Sequence, residues 1–198
     1  MGSWVAAIVE TGGRADFWDV ARRQDVKPVD EGVPAHVLIE CELGWDFTAS
    51  LRLAETLSRA LATSAIGFYG QSSADCYEIC GYSSGERVRR LAYSRDEGGW
   101  LHVEGTPQPW ERAFFFDGKF ATSSVAEHWP DMLDDELSDQ DIRRYESARR
   151  AGDASAILDL LHPSSLAPLH RVCAHFGLRA EAPTARWKKR SWWARLFR

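Results

Sequence analysis

Apolar side chains recur along this chain with two different periods. Ser3–Glu10, "SWVAAIVE", is apolar almost throughout and stops at Thr11-Gly12-Gly13, which predicts a buried strand. In "VPAHVLIECEL", Val33–Leu43, the side chains Val37, Ile39 and Cys41 fall on one face and His36, Leu38, Glu40 and Glu42 on the other, predicting a second strand. Between them, Phe17, Val20 and Ala21 keep helical spacing, with Asp16 as N-cap. "DFTASLRLAETLSRALAT" carries the clearest helical stripe: Leu51, Ala54, Leu57 and Leu61 inward, Arg52, Glu55 and Arg59 outward, Thr48 at the cap. "AIGFYGQSS" then reads as a strand, and its Gly67 and Gly70 predict a bulge or a close backbone approach.

The middle of the chain is a meander. "DCYEICGY" and "ERVRRLAYS" flank the hairpin turn Ser83-Ser84-Gly85, and "GGWLHVEG" follows a turn over Asp96–Gly99. "TPQPWE" breaks the pattern with two prolines. Beyond Phe116 the period becomes helical. One helix follows a Ser138/Asp141 capping box, a second covers "DASAILDLLH", and a third has Pro168 in its first turn and ends at Gly177. The expected fold class is α+β: a mostly antiparallel sheet with helices packed on one face over 1–120, a helical section over 121–178, and a linker and tail over 179–198.

Charge refines this layout. The chain of 198 residues has a net charge of −5, from 24 basic and 29 acidic residues. Arg186–Arg198 holds six of the basic residues and no acid, so the rest carries −11. Such a body is a poor match for phosphate-rich nucleic acid. No secretory leader or membrane-length apolar run is evident, so a cytoplasmic location, possible peripheral contact with the inner membrane face, and cysteines kept as thiols are expected.

Candidate chemistry is thin. Cys76 and Cys80 share a strand face, and Cys173, His170 and His175 lie on a predicted helix, but no ligand spacing of a metal centre joins them. Trp100, His102 and Glu104 alternate along one strand, which reads as a solvent-facing edge or, alternatively, as part of an enzyme site with Cys76 and Cys80. "ETGGRAD" lacks both the third glycine of a dinucleotide fingerprint and the Lys-Ser/Thr of a P-loop. The acidic run Asp131–Asp141 does not fit a calcium loop, having Glu136 sixth and Ile142 twelfth, and reads as a solvated helix entry. No cofactor and no metal are expected.

Glu86–Glu111, through Arg90, Tyr93, Trp100, Gly105, Pro109 and Trp110, resembles a hairpin-plus-"PQPWE" pattern in small uncharacterised bacterial proteins, some of which look like partners or immunity factors of toxins. The resemblance implies a binding protein rather than an enzyme, with these residues as scaffold.

The loudest feature is "RWKKRSWWARLFR". Trp187, Trp192, Trp193, Leu196 and Phe197 are interleaved with Arg186, Lys188, Lys189, Arg190, Arg195 and Arg198. As a helix from Ser191, it pairs Trp192 with Leu196 and Trp193 with Phe197 on one face. Such a segment suits an anionic membrane surface or a groove on a protein partner; fold-back onto the acidic run and single-stranded nucleic acid are the alternatives. The expected function is a non-enzymatic protein-binding module of bacterial immunity or accessory type that docks through this tail.

Overall fold

A computed structural model of the chain describes residues 3–27, 33–41, 46–116, 133, 137–163 and 165–178, together with the backbone of 185–187. The fold is α+β. Among the described residues eight strands are present: β1 (Ser3–Glu10), β2 (Val26–Lys27), β3 (His36–Cys41), β4 (Ser64–Gln71), β5 (Cys76–Ser83), β6 (Glu86–Ser94), β7 (Gly99–Gly105) and β8 (Ala185–Trp187). They lie in the order β2-β8-β3-β1-β4-β5-β6-β7. The helices are α1 (Phe17–Arg23), α2 (Ala49–Leu61), α3 (Glu111–Phe115), α4 (Asp139–Ala151) and α5 (Ala167–His175), with a 3-10 helix over Ser155–Leu160. The chain divides into two compact units, neither a continuous stretch: one comprises 1–3, 70–78 and 89–179, the other 4–69, 79–88 and 180–198.

In the unit containing β1 and β3, the antiparallel pairing sets Ala7 opposite Ile39 and Val9 opposite Val37. These four side chains share the face on which Phe17, Trp18 and Ala21 of α1 and Leu53, Ala54, Leu57 and Leu61 of α2 are buried. The stripe on α2 is therefore the core seam that its spacing predicts. Gly67 is the close approach: a Cβ there would lie 2.6 Å from the Ser50 carbonyl oxygen and 2.7 Å from Leu51 Cα. Ser50 consolidates the contact by donating from Oγ to the Phe68 carbonyl at 2.8 Å. Alternate residues of β1, Ala6 and Ile8, are buried as well, which explains why the strand reads as a continuous apolar run.

Neither expected cap on α1 or α2 forms, because the capping side chains are engaged elsewhere. Asp16 binds the Arg14 guanidinium at 2.7 Å, and this pairing holds its carboxyl below the usual range. Thr48 Oγ1 donates to Asp46 and accepts from Arg52. α2 ends in a left-handed Ala62, after which the Thr63 N–H donates to the Ser58 carbonyl at 3.1 Å. The β5–β6 hairpin turns through Ser84 (φ 50°) and Gly85 (φ 87°), the two positive φ values that a type I′ turn requires.

In the other unit, α4 starts at the Ser138/Asp141 capping box, with both reciprocal bonds present, and stops at a left-handed Gly152. "DASAILDLLH" forms the 3-10 helix rather than an α-helix, tied to α4 by Arg144, which donates to Asp159 and to the Ala156 carbonyl. α5 has its proline in the first turn, and Leu169 and Leu166 fill the space above Gly70 beside Tyr77. Tyr77 donates from Oη to the Ser165 carbonyl at 2.8 Å. Three short elements, β2, α3 and β8, are not apparent from periodicity.

Candidate functional site

The "PQPWE" stretch is built as a rivet. Glu111 opens α3, and both of its carboxylate oxygens accept from Arg89 on β6, at 2.9 and 2.7 Å. The two side chains are only 6% and 8% exposed. Arg89 also donates to the Gly105 carbonyl at 2.9 Å, and Glu111 accepts the Gln108 N–H. Arg171 on α5 grips the other end of α3, donating to the carbonyls of Ala113 and Phe114. The Arg89 guanidinium is aimed at the Glu111 carboxylate and the Gly105 carbonyl within the fold, so the pair is a fixture of the architecture. Arg90, the neighbour whose side chain turns the other way, pairs with Glu78 at 2.8 Å.

Trp100, His102 and Glu104 do not form one patch. A register shift in the β6–β7 ladder pairs Ala92 with His102 but Tyr93 with Trp100. The irregularity turns Trp100 into an aromatic cluster with Tyr93, Phe114 and Phe115, where its Nε1 donates to the Leu161 carbonyl at 2.9 Å. His102 Nδ1 lies 2.7 Å from Glu104 Oε1, both partly exposed on β7, the last strand in the sheet order. His162 Nδ1 lies 3.3 Å from Tyr93 Oη at the margin of the aromatic cluster. A strand bulge leaves little trace in sequence, so alternation alone put Trp100 on the wrong side.

Cys41, Cys80 and Cys173 are buried and Cys76 is half-buried. Burial, with Asp46 and Glu40 nearby, pushes the Cys41 thiol up to about 12, which keeps it protonated and unreactive. Tyr82, beside Cys80 on β5, is also pushed up by burial. On α5, Cys173 faces inward while His170 and His175 are exposed, so these three do not converge. Among the described residues, no group of three or more His, Cys, Asp or Glu side chains is placed to hold a metal ion.

The glycine turn after β1 uses its own polar groups. Thr11 Oγ1 donates to the Pro34 carbonyl at 2.7 Å and accepts the Gly13 N–H at 3.2 Å. The Asp16 carboxylate stands at the start of α1, where an anion would have to sit. Of the acidic run, Asp139 and Asp141 belong to the first turn of α4, while Asp131, Asp134, Asp135 and Glu136 lie outside the described residues.

The predicted docking segment starts inside the sheet. The backbone of Arg186 and Trp187 belongs to β8, which runs parallel to β3, with Arg186 opposite Glu40 and Trp187 opposite Cys41. On its other side β8 is antiparallel to β2, with Lys27 opposite Arg186 and Val26 opposite Trp187. A three-residue strand is too short for any periodicity to reveal. Lys188, Lys189, Arg190, Trp192, Trp193, Arg195, Leu196, Phe197 and Arg198, with the helix expected from Ser191, lie outside the described residues.

No protein-family model matches the chain, and neither does any curated protein or solved structure. Among the described residues no helix is long and apolar enough to cross a membrane.

Proposed function

We propose that the protein is a non-enzymatic binding module, of the bacterial immunity or accessory type, that docks through Lys188–Arg198 on a protein partner or an anionic membrane face. One observation carries this reading. A cationic segment rich in aromatic residues follows directly on β8, whose backbone is paired on both sides, so the segment leaves from a sheet rather than from a free linker. The rest of the chain is acidic, which makes the segment a separate electrostatic address. The polar pairs most suggestive of chemistry, Arg89–Glu111 and His102–Glu104, serve as a buried brace and an exposed strand edge.

The test compares the full chain with one ending at Trp187, which keeps β8. The full chain is expected to sediment with phosphatidylcholine vesicles containing phosphatidylglycerol, or to retain a stoichiometric protein from native cells, and the shortened chain to do neither. Added salt should weaken the vesicle interaction. Equal behaviour of the two chains on both surfaces would refute docking through this segment.

A further inference from the structure

The placement of β8 has a mechanical consequence. β2 is the terminal strand of the sheet order, so β8 is its one strand neighbour in the described sheet. Among the described residues, Val26 and Lys27 are held to the rest of the sheet only through the three residues of β8. Val26 is nonetheless fully part of the core, at 1% exposure, in the same cluster as Ile39 and Cys41 of β3. A two-stranded ribbon of this length has no independent stability. A parallel strand such as β8 also reaches its partner through a long connection rather than a hairpin, so chain connectivity does little to hold it in register.

We propose that Ala185–Trp187 is a strap: it fastens β2 to β3, and β2 and β8 open together as one sub-global unit, leaving the β1–β3 ladder paired. The strap belongs to the sheet whatever surface the segment after it meets. When it opens, the β3 edge from Ile39 to Cys41 loses its outer neighbour, and the Val26 side of the core loses its cover. The strap thus links the root of the basic segment to the accessibility of a buried thiol.

The experiment is residue-resolved amide hydrogen exchange on the full chain and on its Arg186→Pro variant, with alkylation of Cys41 followed in parallel by mass spectrometry. Proline in a strand paired on both sides removes a ladder N–H and fixes φ. In the wild-type chain, protected amides in 26–27 and 185–187 should share one opening free energy, lower than that of β1. In the variant, whichever of the Val26 and Lys27 amides faces β8 should exchange about tenfold faster or more and Cys41 should alkylate faster, while β1 keeps its protection. Unchanged exchange at Val26 and Lys27 in the variant would overturn the strap, as would wild-type amides at 185–187 exchanging like an unstructured peptide. If the variant loses protection everywhere, the wild-type chain decides: unequal opening free energies for 26–27 and 185–187 overturn the proposal.

Discussion

Replacing Glu111 by Gln tests whether the Arg89–Glu111 pair is a brace that must be kept whole. The substitution preserves shape and removes the charge. It leaves Arg89, 6% exposed, facing an amide whose NH2 group cannot accept its N–H donors. Breaking a buried ion pair from one side costs about 3–5 kcal/mol, because the remaining charge stays desolvated. For a chain of this length each kcal/mol moves the melting temperature by roughly 2–4 °C, so E111Q should melt about 6–20 °C below wild type. Replacing both partners, as R89M/E111M, removes the stranded charge. The main remaining loss is in hydrogen bonds to the Gly105 carbonyl and the Gln108 N–H, at about 1 kcal/mol each. The double variant should therefore be more stable than E111Q, by about 1–3 kcal/mol. Urea titrations followed by circular dichroism give the comparison, read as the midpoint at unchanged slope. A double variant as unstable as E111Q, or an E111Q cost below about 1 kcal/mol, would show that the pair is not a desolvated brace and would refute the reasoning.

Three further outcomes follow from local geometry. Gly67→Ala should cost about 3 kcal/mol, since its Cβ meets the backbone of α2, whereas Gly70→Ala should cost about 1, since it meets the movable ends of Leu169, Leu166 and Tyr77; thermal unfolding of the pair gives the ranking, and equal costs would contradict it. Ser138→Ala should lose about 1 kcal/mol by removing the α4 capping box, measured by urea unfolding. Cys41 has a folded value of about 12 against an ordinary 9.0, so the folded state holds the proton more tightly; its stabilising contribution is complete below pH 9 and is lost as pH rises toward 12. Cys41→Ala should therefore flatten the alkaline fall in unfolding free energy over that window, and an unchanged slope would reject this origin.

How much of this protein its sequence determined depends on the range of the interaction responsible. The α2 stripe, the Ser138/Asp141 box, the Ser84-Gly85 turn and the Gly177 helix stop are local devices, each made by residues a few positions apart, and each forms as the pattern predicts. Gly67 announced a close approach, yet only the fold identified α2 as the element approaching. Asp16 and Thr48 have the right chemistry for caps, but Arg14, Asp46 and Arg52 compete for the same oxygens, and that competition is settled in three dimensions. Trp100 was placed by a one-residue register shift that alternation cannot register. β2 and β8 have almost no propensity signal of their own. They are strands because β3 offers an open row of backbone donors and acceptors, and burial makes leaving that row unpaired costly, so distant short segments are recruited to complete it. Local periodicity therefore determined the elements that stabilise themselves, and tertiary hydrogen bonding decided those that exist only in company, including the root of the segment on which the proposed function rests.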